Sequence, residues 1–129
     1  MYIKNSEEAY EQRGEFMAKD DYFVIAYQIL SYLYQCLKKG TDVNPDILSN
    51  EGPLMDINKK YWTYIMENLK NEGYIKGILV QHMDNGTYIS RLQGCQITPK
   101  GIEYLMDNTF LKRAAEHMRD VKDIVPFSL

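Results

Sequence analysis

The sequence predicts an α+β fold in which three helices precede a two-stranded hairpin and further helices follow it. Apolar side chains recur at spacings of three and four in the first half of the chain, which is the period of an amphipathic helix. The segment YWTYIMENLKNEGYIKGILVQ, residues 61–81, opens as a helix and closes as a strand, with only NEG between them. The dipeptide Asn85–Gly86 lies between runs of β-branched and aromatic residues, an arrangement that favours a hairpin.

Length and composition indicate one compact domain. The chain has 129 residues, of which 45% are hydrophobic, enough to form a core. No apolar run approaches the roughly 20 residues that cross a bilayer, and the polar, acidic N-terminus does not resemble a secretory signal. We therefore expect a cytoplasmic protein with no membrane partner. Cys36 and Cys95 fit no metal-ligand spacing, so we expect two free, partly buried thiols, no metal and no cofactor.

The charge is unevenly distributed along the chain. Residues 1–21 carry three basic and six acidic side chains, which accounts for the whole net charge of −3. Residues 22–129 are therefore neutral overall. Proteins that bind nucleic acid usually carry a basic excess, so a prediction of DNA binding depends here on where individual lysines lie.

Residues 1–19 are predicted to form a flexible or weakly helical arm, and residues 20–129 the folded domain. The first helix lies in DDYFVIAYQILSYLYQCLKKG, where Asp20 or Asp21 can accept hydrogen bonds from free backbone N–H groups. Gly40 can adopt the left-handed conformation that ends a helix. The apolar face predicted for this helix consists of Phe23, Ala26, Ile29, Leu30, Leu33, Tyr34 and Leu37.

Two more helices are predicted before the hairpin. Asn44 and Pro45 begin a short helix over residues 45–49. The segment INKKYWTYIMENLKNEG forms the next helix, with Asn58 as its N-cap and Gly73 as its stop. Its predicted inward stripe is Ile57, Tyr61, Ile65 and Leu69, with Trp62 and Met66 beside it. Its other side carries Lys59, Lys60, Thr63, Glu67 and Lys70.

The second half of the chain is predicted to form one hairpin and two helices. The hairpin covers YIKGILVQHMDNGTYISRLQGCQIT, and the helix that follows, TPKGIEYLMDN, has Thr98 as its cap. The side chains of that helix predicted to point inward are Ile102, Leu105 and Met106. The last helix, TFLKRAAEHMRDVKDIV, carries an apolar stripe of Phe110, Leu111, Ala114, Ala115, Met118 and Val121. We favour packing of this stripe on the first helix. A homodimer through the C-terminal helix is the alternative.

This order of elements is the layout of a winged helix-turn-helix domain with a C-terminal helical extension. In such folds the third helix leads directly into the hairpin, which would explain the abrupt change near residue 73. The segments GYIKG, ITPKGIEYL and KDIVP also resemble the YjcQ-type small winged-helix proteins of Gram-positive bacteria and their prophages, over roughly residues 20–126. The resemblance implies this fold and a phage or prophage setting, and it implies no catalytic residues.

By analogy with winged-helix proteins generally, the helix over residues 58–72 would enter the major groove of double-stranded DNA. The predicted contact residues are Asn58, Lys59, Lys60, Thr63, Glu67, Asn85 and Arg91. The two lysines would contact phosphates, and the other three helix residues would reach base edges. The residue at the hairpin tip, or the arginine, would contact the DNA backbone or the minor groove. The alternative, weighed equally, is that the lysines form an ordinary solvent-exposed face. We expect Tyr64 at the edge of the core and His82 as an ordinary surface residue.

The sequence contains no Ser/His/Asp arrangement, glycine-rich phosphate loop or metal-ligand cluster, so we expect no enzymatic activity. The leading hypothesis is a winged-helix protein that binds double-stranded DNA as a phage-associated regulator. The alternative is a winged helix used as a protein-interaction module, such as a phage product that acts on a host protein. The neutrality of residues 22–129 and the use of 11 tyrosines favour this alternative.

Overall fold

Five α-helices and two small antiparallel strand pairs make up residues 18–120, the part of the chain that the structure, a computed structural model, describes. In chain order the elements are α1 (Tyr22–Lys39), α2 (Pro45–Leu48), α3 (Lys59–Asn71), β1 (Ile75–Lys76), β2 (Leu79–Met83), β3 (Gly86–Ser90), a 3₁₀ turn (Leu92–Gly94), β4 (Gln96–Ile97), α4 (Pro99–Asp107) and α5 (Thr109–Asp120). The predicted α+β class is confirmed. Most of the predicted N-terminal arm, residues 1–17, lies outside the described residues.

Helix α1 is the central element of the fold. It contacts α3, α4, α5 and β4, and its side chains are buried on every side. The predicted broad apolar face is confirmed, since its residues up to Tyr34 are buried or half-buried. Burial extends beyond that face because four elements surround the helix. Val24 is completely buried, whereas Leu37 at the end of the predicted face is 48% exposed. The polar side chains of Gln28 and Ser31 are also buried in α1.

The two ends of α1 differ from each other in how they are capped. Asp21 is the N-cap residue, but among the described residues its carboxylate accepts a hydrogen bond from the Ala18 N–H (3.2 Å) and none from α1. The predicted side-chain cap is therefore absent at Asp21. At the other end Gly40 adopts a left-handed conformation with φ of +69°, as predicted.

Helices α2 and α3 begin at the predicted caps. The Asn44 side chain accepts a hydrogen bond from the backbone two residues further on, and the Asn58 side chain accepts one from the Tyr61 N–H (2.8 Å). Helix α2 ends one residue earlier than predicted, at Leu48. The indole N–H of Trp62 donates to the Leu48 carbonyl (3.0 Å), and this bond fixes α3 against α2.

Hydrogen bonds at the end of α3 explain the abrupt change from helix to strand. Gly73 has a φ of +83°, and its N–H donates to the Lys70 carbonyl (2.9 Å). The N–H of Tyr74 donates to the Leu69 carbonyl (2.9 Å), which completes a Schellman motif. Because this motif satisfies two of the free carbonyls, the chain can leave the helix at once, and β1 begins at the next residue.

The predicted hairpin is divided into two strand pairs. β2 pairs with β3, and β1 pairs separately with β4. The break lies at Gly77, which has a φ of +93° and approaches Gly94 so closely that a Cβ would collide with the Gly94 carbonyl. Met83 pairs with Gly86, so the two-residue turn is Asp84–Asn85, one residue earlier than predicted.

Helix α4 begins at its predicted cap, since the Thr98 hydroxyl accepts a hydrogen bond from the Gly101 N–H (2.9 Å). Leu105 is buried and Ile102 is half-buried, as predicted. Met106 is 50% exposed, so the prediction that it points inward is wrong.

Helix α5 packs on α1, which confirms the favoured interpretation of its apolar stripe. Leu111, Ala114 and Met118 are buried, and the last two form a cluster with Val24 of α1. Val121, the last residue of the predicted stripe, lies outside the described residues.

Candidate nucleic-acid interface

The N-terminus of α3 presents two exposed lysines. Lys59 and Lys60 are the first two residues of the helix, next to the Asn58 cap. The helix dipole makes this end positive, so cations here do not stabilise the helix itself. The Lys59 ammonium lies 4.8 Å from the centroid of the Trp62 ring, which holds its stem against the core. Lys60 is the freer of the two to meet an anion from outside.

The outward face of α3 differs from the predicted one. It is formed by Lys60, Tyr64, Asn68 and Asn71, which follow one another at helical spacing. Tyr64 is 55% exposed, so the expectation that it extends the core is wrong. Its ring meets the Tyr22 ring edge-on, with 6.4 Å between centroids. The side-chain amide of Asn68 donates to the Tyr64 carbonyl (2.7 Å).

The hairpin β2–β3 covers the neighbouring flank of α3. His82 Nε2 lies 2.6 Å from a carboxylate oxygen of Glu67, and His82 Nδ1 lies 2.9 Å from the Thr87 hydroxyl. Thr63, one turn before Glu67, is only 8% exposed. The prediction that Thr63 faces a partner is therefore wrong, and Glu67 is engaged by the hairpin. His82 is not an ordinary surface residue, because it joins the hairpin to α3.

Alternation along the strands separates the two faces of this hairpin. Val80, Thr87 and Ile89 are half-buried and share a face with His82, toward α3. Met83 and Tyr88 lie on the opposite face and are 60% and 44% exposed. This outer face is therefore apolar at two positions that the fold does not use.

The two predicted hairpin contacts are far apart. Asn85 is exposed at the turn, and Arg91 is exposed just after the far end of β3. Five strand residues separate these positions, a span on the order of 20 Å, so one phosphate cannot meet both side chains. Arg91 holds a left-handed backbone, φ +63°, which disfavours a non-glycine residue and begins the 3₁₀ turn.

A tyrosine of α3 connects this surface to the segment before α1. The Tyr61 hydroxyl donates to the Asp20 carbonyl (2.7 Å). Burial raises the pKa of the Tyr61 phenol, and the nearby carboxylates Asp20 and Asp21 raise it further. Tyr61 is therefore half-buried and neutral, and it is not part of the outward face.

The segments that carry the family resemblance contact each other. The Thr98 hydroxyl donates to the Gly73 carbonyl (2.5 Å), and the Thr98 N–H donates to the Tyr74 carbonyl (3.0 Å). The rings of Tyr74 and Tyr104 stack 4.0 Å apart at an interplanar angle of 7°. The start of α4 therefore holds the junction between α3 and the strands, which determines where the hairpin lies.

The site residues come together only in part. Lys59, Lys60 and Asn58 lie at one helix end, and Glu67 lies under the hairpin, whereas Asn85 and Arg91 lie at opposite ends of β3. Sequence reasoning missed the contact between His82 and Glu67. The one sequence feature that could have indicated this contact is the strand alternation, which places His82 on the same face as Val80.

Three helices followed by a hairpin that is held against the third helix give a layout that fits a small winged-helix protein. Residues 27–124 match the family model described as YjcQ protein. This match covers more than half of the chain, so the chain belongs to the YjcQ family. Neither a search of the curated proteins nor a search of the solved structures found a match.

Two further properties concern only the part of the chain that the structure describes. None of its helices is both long and apolar enough to pass through a membrane. No group of three His, Cys, Asp or Glu side chains in residues 18–120 could hold a metal ion. Cys36 and Cys95 are both free and buried, as predicted.

Proposed function

We propose that this protein is a cytoplasmic winged-helix protein that binds double-stranded DNA as a phage-associated regulator. The observation that carries the proposal is the pair of exposed lysines at the start of α3, beside a hairpin that is attached to the same helix. The Lys59 stem lies against Trp62, but the charges of both lysines are unfavourable at a helix N-terminus. A phosphate group would offset that cost.

In this proposal α3 enters the major groove by its outward face. Lys59 and Lys60 contact phosphates and set the position of the helix on the duplex. Asn68 and Asn71 provide amide groups, which can form paired hydrogen bonds with adenine in the major groove. Tyr64 lies between the lysines and these asparagines on the exposed side of the helix. The hairpin lies against the adjacent DNA backbone, where Arg91 or Asn85 adds a contact.

Few basic side chains are available for phosphates, so the affinity should depend on a small number of contacts. Each neutralised phosphate contributes a slope of about −0.9 to the dependence of log K on log salt concentration. Lys59 and Lys60 together account for about −1.8 of that slope. Binding should therefore be clear at low salt, and these two contacts should weaken it by only about tenfold when the salt concentration rises fourfold.

A salt titration of DNA binding tests the proposal. We expect Lys60→Gln to weaken binding to mixed-sequence duplex DNA and to reduce the salt slope by about 1. Lys59→Gln/Lys60→Gln should reduce the slope by about 2. The measurement is fluorescence anisotropy of a labelled duplex between low and moderate salt.

The matched control for these variants is Lys39→Gln, which removes one exposed lysine from the C-terminal end of α1. We expect this control to bind DNA as the unmodified protein does. The absence of binding at micromolar protein and low salt would contradict the proposal. Equal losses in Lys60→Gln and Lys39→Gln would also contradict it, because only net charge would then matter.

A protein-interaction module is the second candidate, and the outer face of the hairpin favours it. Met83 is 60% exposed and Tyr88 is 44% exposed there, away from α3. Methionine and tyrosine are common at protein interfaces. In this case a host or phage protein would bind the hairpin and leave the lysines of α3 free.

The two candidates predict opposite results for two variants. Met83→Ser/Tyr88→Ser should abolish a protein complex and leave DNA binding intact if the hairpin recognises a protein. Lys59→Gln/Lys60→Gln should do the reverse. A photo-crosslinking residue at position 88, compared with one at position 39, identifies the partner in host cells and measures the specificity of the contact.

A further inference from the structure

A half-enclosed cavity of about 250 Å³ lies where α1, α4 and α5 meet. Its lining consists of Tyr27, Ser31, Tyr34, Lys38, Leu105, Met106, Lys112 and Ala115. The four residues from α1 follow one another at spacings of four, three and four, so they form one continuous stripe along that helix. The cavity is far smaller than the interface of a protein partner and slightly below the usual range for ligand sites, roughly 300–1,000 Å³.

The floor of the cavity contains an unsatisfied hydroxyl group. Ser31 is 1% exposed, and its Oγ has no hydrogen-bond partner among the described residues. A serine within a helix can usually bond to the carbonyl four residues earlier or to water. A buried hydroxyl without a partner is unfavourable. Because less than 1 Å² of this oxygen is accessible, a polar atom from outside reaches it only after the side chains above it move.

The mouth of the cavity is positively charged. Lys38 and Lys112 are both exposed, and they come from different helices to line the same opening. None of the described residues that line the cavity is acidic. The Lys38 ammonium lies 4.5 Å from the centroid of the Tyr34 ring, which keeps it close to the opening. An anionic group at the mouth would therefore meet two cations and no carboxylate from the lining residues.

The walls between floor and mouth are aromatic and apolar. Tyr27 and Tyr34 lie on the α1 side, and Leu105 and Met106 lie on the α4 side. Met106, which is 50% exposed, lines this cavity. Aromatic walls favour a flat ring that can stack against them.

We propose that this cavity binds a small aromatic monocarboxylate with a hydroxyl group opposite the carboxylate. The ring lies between the tyrosines and the α4 side chains, and the carboxylate lies between Lys38 and Lys112. The ligand hydroxyl pairs with Ser31 at the floor. This assignment does not depend on the proposed DNA binding, since the cavity shares no residue with the outward face of α3.

Binding of 4-hydroxybenzoate to the full chain in the absence of DNA tests the assignment. We expect it to bind more tightly than benzoate, which lacks the hydroxyl, and more tightly than 4-hydroxybenzamide, which lacks the charge. Binding is measured by isothermal titration calorimetry and by the rise in unfolding temperature with ligand concentration. Equal affinity for all three compounds, or no binding of 4-hydroxybenzoate at millimolar concentration, would overturn it.

Variants distinguish a built site from a merely apolar gap. In Ser31→Ala the affinity for 4-hydroxybenzoate should fall on the order of tenfold, to that of benzoate, while the ligand-free protein stays as stable or becomes more stable. Lys38→Gln should weaken binding of the acid roughly twofold to fivefold and leave the amide unaffected. Lys39→Gln, which does not line the cavity, is the matched control.

Ala115→Met, which fills the cavity from α5, should abolish binding. Undiminished binding of 4-hydroxybenzoate in either Ser31→Ala or Ala115→Met would contradict the proposal.

Discussion

At the level of single residues, Gly101 shows how one position determines a long-range contact. It lies in the first turn of α4, and a Cβ there would collide with the Tyr74 carbonyl and press on the Ile97 side chain. Only glycine lets α4 come this close to the end of α3. The sequence shows that position 101 is a glycine, but only the contact with Tyr74 explains why a larger residue would not fit there.

Cys95 provides a test of burial by pH. Burial raises the pKa of its thiol from 9.0 to about 12. Above about pH 9 the unfolded state releases the thiol proton, whereas the folded state keeps it. The contribution of the thiol to the free energy of unfolding is therefore fully present below about pH 9 and is lost as the pH rises toward 12. We expect the free energy of unfolding of the unmodified protein to fall by about 1.4 kcal/mol more than that of Cys95→Ala between pH 8 and pH 10.

The measurement for Cys95 is urea unfolding under reducing conditions at several pH values. Tyrosines with raised pKa, such as Tyr22, destabilise both proteins in the same way above pH 10, so the comparison with Cys95→Ala cancels their effect. Parallel pH profiles for the two proteins would show that the thiol is not protected in the folded state.

At the level of elements, the hairpin β2–β3 makes a polar contact with α3 through His82 and Glu67. His82 has a side chain that is 64% exposed, so its pairing with Glu67 should contribute at most about 1 kcal/mol to overall stability. Its larger effect is on the position of the hairpin. We expect His82→Ala to speed amide hydrogen exchange in residues 79–90 and to leave exchange in α1 unchanged.

Gln81→Ala is the matched control for this change, because Gln81 is the preceding residue of β2 and points to the other face of the hairpin. It should leave exchange in the hairpin close to that of the unmodified protein. If both variants behave alike, the contact with Glu67 does not hold the hairpin. DNA affinity measured for the same pair would then show whether hairpin position matters for binding.

At the level of the whole molecule, α5 is a part of the core and does not extend as a separate arm. Leu111 is completely buried in the cluster formed mainly by α1 and α3. We expect Leu111→Ala to lower the free energy of unfolding by about 2–5 kcal/mol, the usual range for a large core side chain replaced by alanine. The unfolding midpoint should not change with protein concentration if this packing lies within one chain.

Leu37→Ala is the control for that substitution. Because Leu37 is 48% exposed at the end of α1, its replacement should change the free energy of unfolding very little. A midpoint that rises with protein concentration in both the unmodified protein and Leu111→Ala would instead indicate a homodimer through the C-terminal helix. That dimer remains a prediction, and its apolar contacts would have to come from residues other than the buried Leu111, Ala114 and Met118.

The sequence predicted where the helix cap and the lysines of the candidate site lie, but it did not predict which other side chains of α3 are exposed. Asn58 and Lys60 lie where the helix start places them, because capping depends on neighbours in the chain. Thr63 and Tyr64 were assigned to the wrong sides of α3. A helical period defines the faces of a helix, but adjacent faces differ by only one residue, and which of them is covered depends on the elements that pack against the helix.

The sequence by itself determined the local structure of this protein: the caps at Asn44, Asn58 and Thr98, the stop at Gly40 and the hairpin near Asn85. These features depend on hydrogen bonds and backbone angles within a few residues, so neighbouring letters suffice to predict them. Only the tertiary structure decided that α1 is buried along most of its length, that Thr63 is buried and that Ser31 lines a cavity. Burial depends on which distant segments meet, and the spacing of apolar residues along one helix does not contain that information.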